Sequence, residues 1–275
     1  MKPLDGIRVL NLAVNLPGPA AAQRLHRMGA EVLKVEPPGG DPMEVYHAGW
    51  YRDMAAGHRV VRLDLKQAEG RARLDELLAE TDLLISATRP AAMERLGLGW
   101  DELHRAYPRL CQVAITGFPA PRENEAGHDL TYQASLGLIN PPHMPRTLLA
   151  DMAGTEQAIS AGLALLLGRE RGREAGYVEV PLSEAATAMA EPLAYGSTAS
   201  GALLGGGIPE YNVHPAREGW VAVAALEPHF KKRLETELGV STMEQYRDAF
   251  ATRGAMEWQQ WGQERDIPIV AIKDC

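Results

Sequence analysis

Cysteine is almost missing: two in 275 residues, Cys111 within an apolar run and Cys275 at the last position. Two cysteines cannot make a disulfide framework, and without a CxxC or a Cys/His cluster no zinc site of the usual spacing is present, so a reducing compartment is expected. Long apolar runs are missing as well. The opening MKPLDGIRVLNLAV meets Asp5 and Arg8 before any such run forms, and neither a secretory signal nor a membrane span is expected there. Positive charge is short: 28 Lys and Arg against 36 Asp and Glu give a formal charge of −8. That excludes a protein living on broad contacts to a nucleic-acid backbone, and an anionic ligand would need a locally basic pocket. No repeat period shows. What is present, 45% hydrophobic and 23% charged residues, is the composition of a globular enzyme-sized protein, expected in the cytosol. The length favours two domains, or one large domain with an appendage.

The first part of the chain alternates short apolar runs with helical patterns. Ile7–Ala13 reads as a buried strand, Gly18-Pro19 marks the turn into a helix over Ala20–Met28, and Glu31–Glu36 is a second strand. A strand over Arg59–Leu65, a helix over Ala68–Glu80 and a strand over Asp82–Ala87 follow. Trp100–Tyr107 is expected to be helical, Leu110–Thr116 a strand, residues 155–168 an apolar helix and Tyr177–Pro181 a strand. Such alternation implies βαβ crossovers and a mostly parallel sheet, an α/β fold. Residues 190–215, with Gly205-Gly206-Gly207 and three prolines, read as a linker. A strand at Trp220–Ala225, helices around His229–Leu238, Met243–Phe250 and Ala255–Glu264, and a final stretch Ile267–Ile272 make a small second domain. The predicted organisation is 1–189, linker 190–215, and 216–275.

The first turn, Asn15-Leu16-Pro17-Gly18-Pro19, lacks GxGxxG, and its prolines remove amides that would cradle a pyrophosphate; no Walker sequence exists either, which excludes a dinucleotide or nucleoside triphosphate site of the usual kind.

Among chemistry-bearing residues, Asp151 precedes the helix pattern Ala153–Leu167. An Asp there is an ordinary helix N-cap, and the same geometry stabilises a carboxylate whose remaining lone pairs face a ligand. His128 has the pKa range for proton transfer, although most of the eight histidines should be solvated or structural. Glu227, before Pro228, fits an acid complementing a helix dipole. Arg89 offers a planar guanidinium for an oxyanion, with Arg59 a second candidate; Arg95 and Arg105 read as a solvated basic face.

Several stretches, taken together and in order from residue 4 to about 272, resemble the class III CoA-transferase family, which includes α-methylacyl-CoA racemases: PLDGIRVLNL, NLPGPAAAQRL, GAEVLKVEPPGGDP, RLDLK, TRPAAMERLGLGWDELHRAYPRL, ITGF, GHDLTYQASLGL, LADMAGTEQA and GYVEVPLSEA. The resemblance implies a Rossmann-like large domain, a small α+β domain, coenzyme A bound as part of the substrate with no prosthetic group, and a homodimer of interlocked rings. It implies Asp151 as the catalytic carboxylate, a nucleophile in transferases and an acid/base partner in racemases. GHDLTY resembles the racemase version, in which His128 faces the aspartate across the substrate α-carbon, with Asp129 orienting it. Tyr132 and Gly127 would line the cleft near the thioester, Gln133 would be structural, and Glu227 would hydrogen-bond the histidine. Arg89 and Arg59 are the expected phosphate contacts. Pro37-Pro38, and Gly57-His58-Arg59 before RLDLK, depart from the basic residues common in the family, so weaker adenosine phosphate binding is expected. In relatives a C-terminal segment returns to the large domain; Ile267–Asp274 reads as the last strand before it, so an open ring is expected. The leading expectation is epimerisation of a 2-methylacyl-CoA, the alternatives a transferase working through an Asp151 anhydride or a non-catalytic acyl-CoA binder.

Overall fold

The computed structural model describes residues 2–273; Cys275 and the Asp274 end of the expected last strand lie outside them. The chain divides after Ala190 into two compact units.

The first unit runs β1 (Arg8–Asn11), α1 (Pro17–Arg27), β2 (Glu31–Glu36), α2 (Pro42–Tyr46), α3 (Ala48–Ala55), β3 (Arg59–Arg62), α4 (Ala68–Leu78), β4 (Leu83–Ser86), α5 (Pro90–Arg95), α6 (Trp100–Ala106), β5 (Cys111–Thr116), α7 (Asp129–Ser135), α8 (Leu149–Glu170) and β6 (Tyr177–Pro181). α9 (Leu182–Ala194) then leads out of it. The six strands form one sheet in the order β3-β2-β1-β4-β5-β6, parallel throughout. β4 and β5 are buried along their whole length, which is why they read as apolar runs rather than as alternating ones. One core joins the sheet to α1 and α8 through Leu25, Ile85, Val113 and Ile159. A second, on the other face, gathers Leu10, Leu74, Leu78, Leu84 and Leu103. Strand order reverses between β1 and β4, and in a doubly wound sheet that reversal opens a crevice at the C-terminal strand ends. The turn between β1 and α1 enters it at close range. A Cβ on Gly18 would lie 2.2 Å from the Cβ of Ala13, so only glycine lets α1 start there.

α2 and α3 were not expected from the sequence. They are held from outside themselves: the buried carboxylate of Asp41 caps α2 through the amide of Met43 at 2.9 Å and pairs with the buried ammonium of Lys34. Lys34 also meets Glu36 at 3.2 Å, and Tyr51 on α3 donates to Glu36 at 2.8 Å.

The second unit pairs β7 (Tyr211–Pro215), β8 (Trp220–Ala224) and β9 (Ile269–Ala271) in an antiparallel sheet. α10 (Pro228–Leu238), α11 (Met243–Phe250) and α12 (Ala255–Glu264) cover one face. Val223, Leu234, Tyr246, Phe250, Trp258 and Ile269 fill its core. The stretch 190–215, read as a linker, differs in detail. It holds the end of α9, a short 3-10 turn at Leu203–Gly205 and all of β7. Proline at 215 sits at the end of the edge strand β7, where a missing donor is tolerated.

Candidate active site

Three loops at the C-terminal edge of the parallel sheet and the start of α8 enclose a cavity of about 280 Å³. Val14 and Asn15 come from the β1 to α1 turn, Thr88 and Arg89 follow β4, Thr116 and Gly117 end β5, and Gly127, His128, Tyr132 and Asp151 complete the wall.

Asp151 does not cap its helix, contrary to the N-cap expectation. α8 begins at Leu149, two residues before it, because another acid takes that role. Asp129, 5% exposed, accepts the amide hydrogens of Ala150 at 2.7 Å and Asp151 at 3.2 Å. Its other oxygen accepts from Gln133 at 2.6 Å, and Gln133 also donates to the carbonyl of Thr147 at 3.0 Å. Asp129 is therefore a strut between α7 and α8, and Gln133 is structural as expected. Thr155 extends the bracing. Its hydroxyl lies 2.9 Å from the carbonyl of Asp151 and 3.2 Å from that of Pro17, tying the first turn of α8 to the start of α1.

This placement sets the chemistry of Asp151. Burial, and then the negative charge of Asp129, push its carboxyl up from 3.8 to about 6, while His128 pulls in the opposite direction. The carboxyl so placed exchanges protons near neutrality. His128 precedes α7 and is exposed on the cavity rim. Its backbone is fixed by Thr131, whose hydroxyl accepts the His128 amide at 3.1 Å and donates to its carbonyl at 2.7 Å.

Tyr132 is 2% exposed, with its ring edge-on to Phe118 at 5.3 Å. A Cβ on Gly117 or Gly127 would stand 2.6 or 2.4 Å from its phenolic oxygen, so the two glycines form its slot. Burial and the charge of Asp151 raise its pKa and keep it a donor. Asn15, at a φ of 66°, is held in the left-handed region by its amide bond to Asp41 at 2.9 Å, which carries the Lys34 and Asp41 pair up to the cavity wall.

Arg89 lines the cavity. Arg59, exposed at the start of β3, does not. Val14 and Thr88 also border a neighbouring cavity of about 450 Å³, largely apolar, whose wall includes Leu63, Lys66 and the Pro37-Pro38 pair. Lys66, within RLDLK, carries no signal of its own in the sequence; only the fold puts it on the same cavity wall as Thr88. Glu227 belongs to the second unit, at the start of α10, exposed and without a hydrogen bond to the free helix amides. Among the described residues no group of three or more His, Cys, Asp or Glu is placed to hold a metal ion, and no helix is long and apolar enough to cross a membrane.

The pattern of CoA-transferase family III matches residues 4–274. The chain is 31% identical over 264 residues to succinyl-CoA--D-citramalate CoA-transferase of Chloroflexus aurantiacus, covering 86% of this chain and 65% of that protein. It is 30% identical over 290 residues to alpha-methylacyl-CoA racemase of Homo sapiens, covering 94% of this chain and 74% of that protein. The chain thus spans about two thirds to three quarters of these relatives. A crystal structure of a hypothetical protein from Mycobacterium tuberculosis superposes with a TM-score of 0.88 at 26% identity, covering 100% of this chain and 85% of that one.

Proposed function

The chain belongs to CoA-transferase family III, and from that premise we propose that it acts on an acyl-CoA thioester, exchanging the α-proton and so inverting a 2-methylacyl centre. One observation carries this reading: an imidazole and a carboxyl raised to about 6 share a single cavity. A thioester carbonyl acidifies the neighbouring C–H. His128 removes that proton and Asp151 returns one to the opposite face, or the reverse for the other enantiomer; the raised Asp151 carboxyl can give a proton as well as take one. The adenosine end belongs in the apolar cavity that shares Val14 and Thr88, with Lys66 and Arg89 as its phosphate cations, while Arg59 is the weaker candidate. Gly127 and Tyr132 stand beside the thioester. Glu227, carried by the second unit at the start of α10, is the third proposed catalytic residue.

Transfer of CoA between carboxylic acids is the second reading, favoured by the transferase names of several relatives. There Asp151 attacks the thioester carbon, forms an anhydride and releases the CoA thiolate, and His128 is dispensable. Incubation with a 2-methylacyl-CoA in deuterated water separates the two. Uptake of one deuterium at the α-carbon without an added acid is expected; CoA transfer that requires a second acid, with no uptake, would overturn the epimerase reading. A homodimer in the cytosol is the proposed setting.

A further inference from the structure

Two hydroxyls in the first-unit cavity have nothing to bond to. Thr116, 5% exposed, and Tyr132, 2% exposed, both line the wall that Asp151 shares, and among the described residues the oxygens of both side chains are buried without a hydrogen-bond partner. Several threonine hydroxyls in this chain are committed: Thr155, Thr187 and Thr252 each donate to a backbone carbonyl three or four residues back. A buried hydroxyl without a partner is unfavourable, and a native structure that keeps one calls for an explanation. Here there are two, in one cavity.

Their settings fit donors and not accidents of packing. The Tyr132 ring is fixed by the edge of Phe118 and by a slot of two glycines that any side chain would close, so the phenol is aimed without a local partner. Burial and the nearby Asp151 charge keep it protonated. Thr116 is the last residue of β5, at the strand edge where the crevice opens, and its backbone is held by the ladder to β6. Both donors are pre-positioned, and a ligand oxygen with two lone pairs would satisfy both.

We propose that Thr116 and Tyr132 form a donor pair for the carbonyl oxygen of the bound thioester. This rests on the acyl-CoA reading and adds two catalytic residues to it. During α-exchange the C–H electron pair moves into the Cα–C bond as the base takes the proton, and the carbonyl π pair moves onto oxygen. The two hydroxyls strengthen their hydrogen bonds to that oxygen and keep their own protons. Reprotonation at the α-carbon reverses the flow. The charge gained in the enolate makes the pair worth more in the transition state than in the ground state.

Tyr132→Phe and Thr116→Val remove each hydroxyl with little change of shape. Their binding to a 2-methylacyl-CoA is compared by calorimetry with binding to the matching S-alkyl thioether, which lacks the carbonyl. The wild-type chain is expected to prefer the thioester by about tenfold, and each variant to lose most of that preference while binding the thioether unchanged. The rate of deuterium uptake should fall about 10- to 1000-fold, more than the loss in thioester affinity, because the hydrogen bonds strengthen as the enolate charge develops. Ligand-free variants should unfold at or above the wild-type midpoint, because the hydroxyls lack partners to lose. Undiminished preference or rate in both variants would overturn the pair, as would a lowered midpoint, which would mean a structural partner. A wild-type chain that binds neither ligand would remove the acyl-CoA reading and the pair with it, whereas retained wild-type preference with unaffected variants removes the pair alone.

Discussion

The carboxylate of Asp129 accepts the backbone amide of Asp151 at 3.2 Å, so two acids 22 positions apart are fixed together, one as the cap and the other as the group it perturbs. Neutralising the cap while keeping its shape isolates the electrical part of that relationship. In Asp129→Asn the amide oxygen still accepts from α8, but the negative charge that raises the Asp151 pKa is gone. The Asp151 pKa should then fall, and the acidic limb of the activity profile should move to lower pH. Carbon NMR of the Asp151 carboxyl checks the direction; an unmoved or rising pKa contradicts the Coulombic cause.

Asp151 also leaves a mark on stability. Its folded-state pKa, about 6 against an ordinary 3.8, means that the folded chain holds a proton that the unfolded chain has released between those values. Stability therefore falls as pH rises through that window, and the penalty is complete above it. Allowing for solvent at the half-buried carboxyl, it amounts to about 1–2 kcal/mol. Asp151→Asn should be more stable than wild type by about that amount at pH 7 and no more stable near pH 3.5. Urea unfolding at the two pH values tests the sign; a variant less stable at pH 7 contradicts it.

The two reactions respond differently to the loss of the imidazole. Asp151→Ala should abolish both α-exchange and CoA transfer. His128→Ala should slow exchange by about 10²- to 10⁴-fold and spare any transfer. Full deuterium uptake by His128→Ala would end the two-base scheme.

The slot around Tyr132 predicts a selective rescue. A Cβ at Gly117 meets only the phenolic oxygen closely, the next ring atom being 3.8 Å away, whereas at Gly127 it also meets ring carbons at 2.6 and 2.7 Å. Gly117→Ala should cost about 1–3 kcal/mol and be restored by Tyr132→Phe; Gly127→Ala should not be. Thermal unfolding of the two double variants reads this out, and equal rescue in both would rule the slot out.

Asn15 offers a test of the buried ion network. Its left-handed backbone is held through the Asp41 carboxylate, so Asp41→Ala should lose stability and distort the cavity wall. Adding Asn15→Gly, which adopts that backbone without strain, should recover about 1 kcal/mol of the loss. A double variant no more stable than Asp41→Ala would show that the backbone strain at Asn15 is not what Asp41 offsets.

Some of this was legible early. β6, α11 and α12 fall where the residue patterns put them, because each is a short apolar or amphipathic run with clear punctuation. α2 and α3 were not: α2 is only five residues long, and Tyr51 on α3 is tied to Glu36 and through it to Lys34 on β2, and local propensity does not record partners at a distance. β7 reads as linker because the glycines and prolines that precede it mask a strand that only pairing with β8 completes. His128, Asp151, Tyr132 and Arg89 are legible as motif residues, while Thr116 reads only as the end of a strand. Its significance is the absence of a partner, which no sequence shows.

The sequence by itself determined the alternation of strand and helix, and with it a parallel sheet whose strands all end on one edge, because apolar period and turn residues are local properties. Tertiary structure alone decided that the loops after β1, β4 and β5 and the first turn of α8 close on one cavity. It also decided that Asp129 rather than Asp151 caps that helix, and that the Asp151 carboxyl titrates near 6. Desolvation and Coulomb energy depend on what surrounds a group in space, and the groups that surround Asp151 come from segments far apart in the chain.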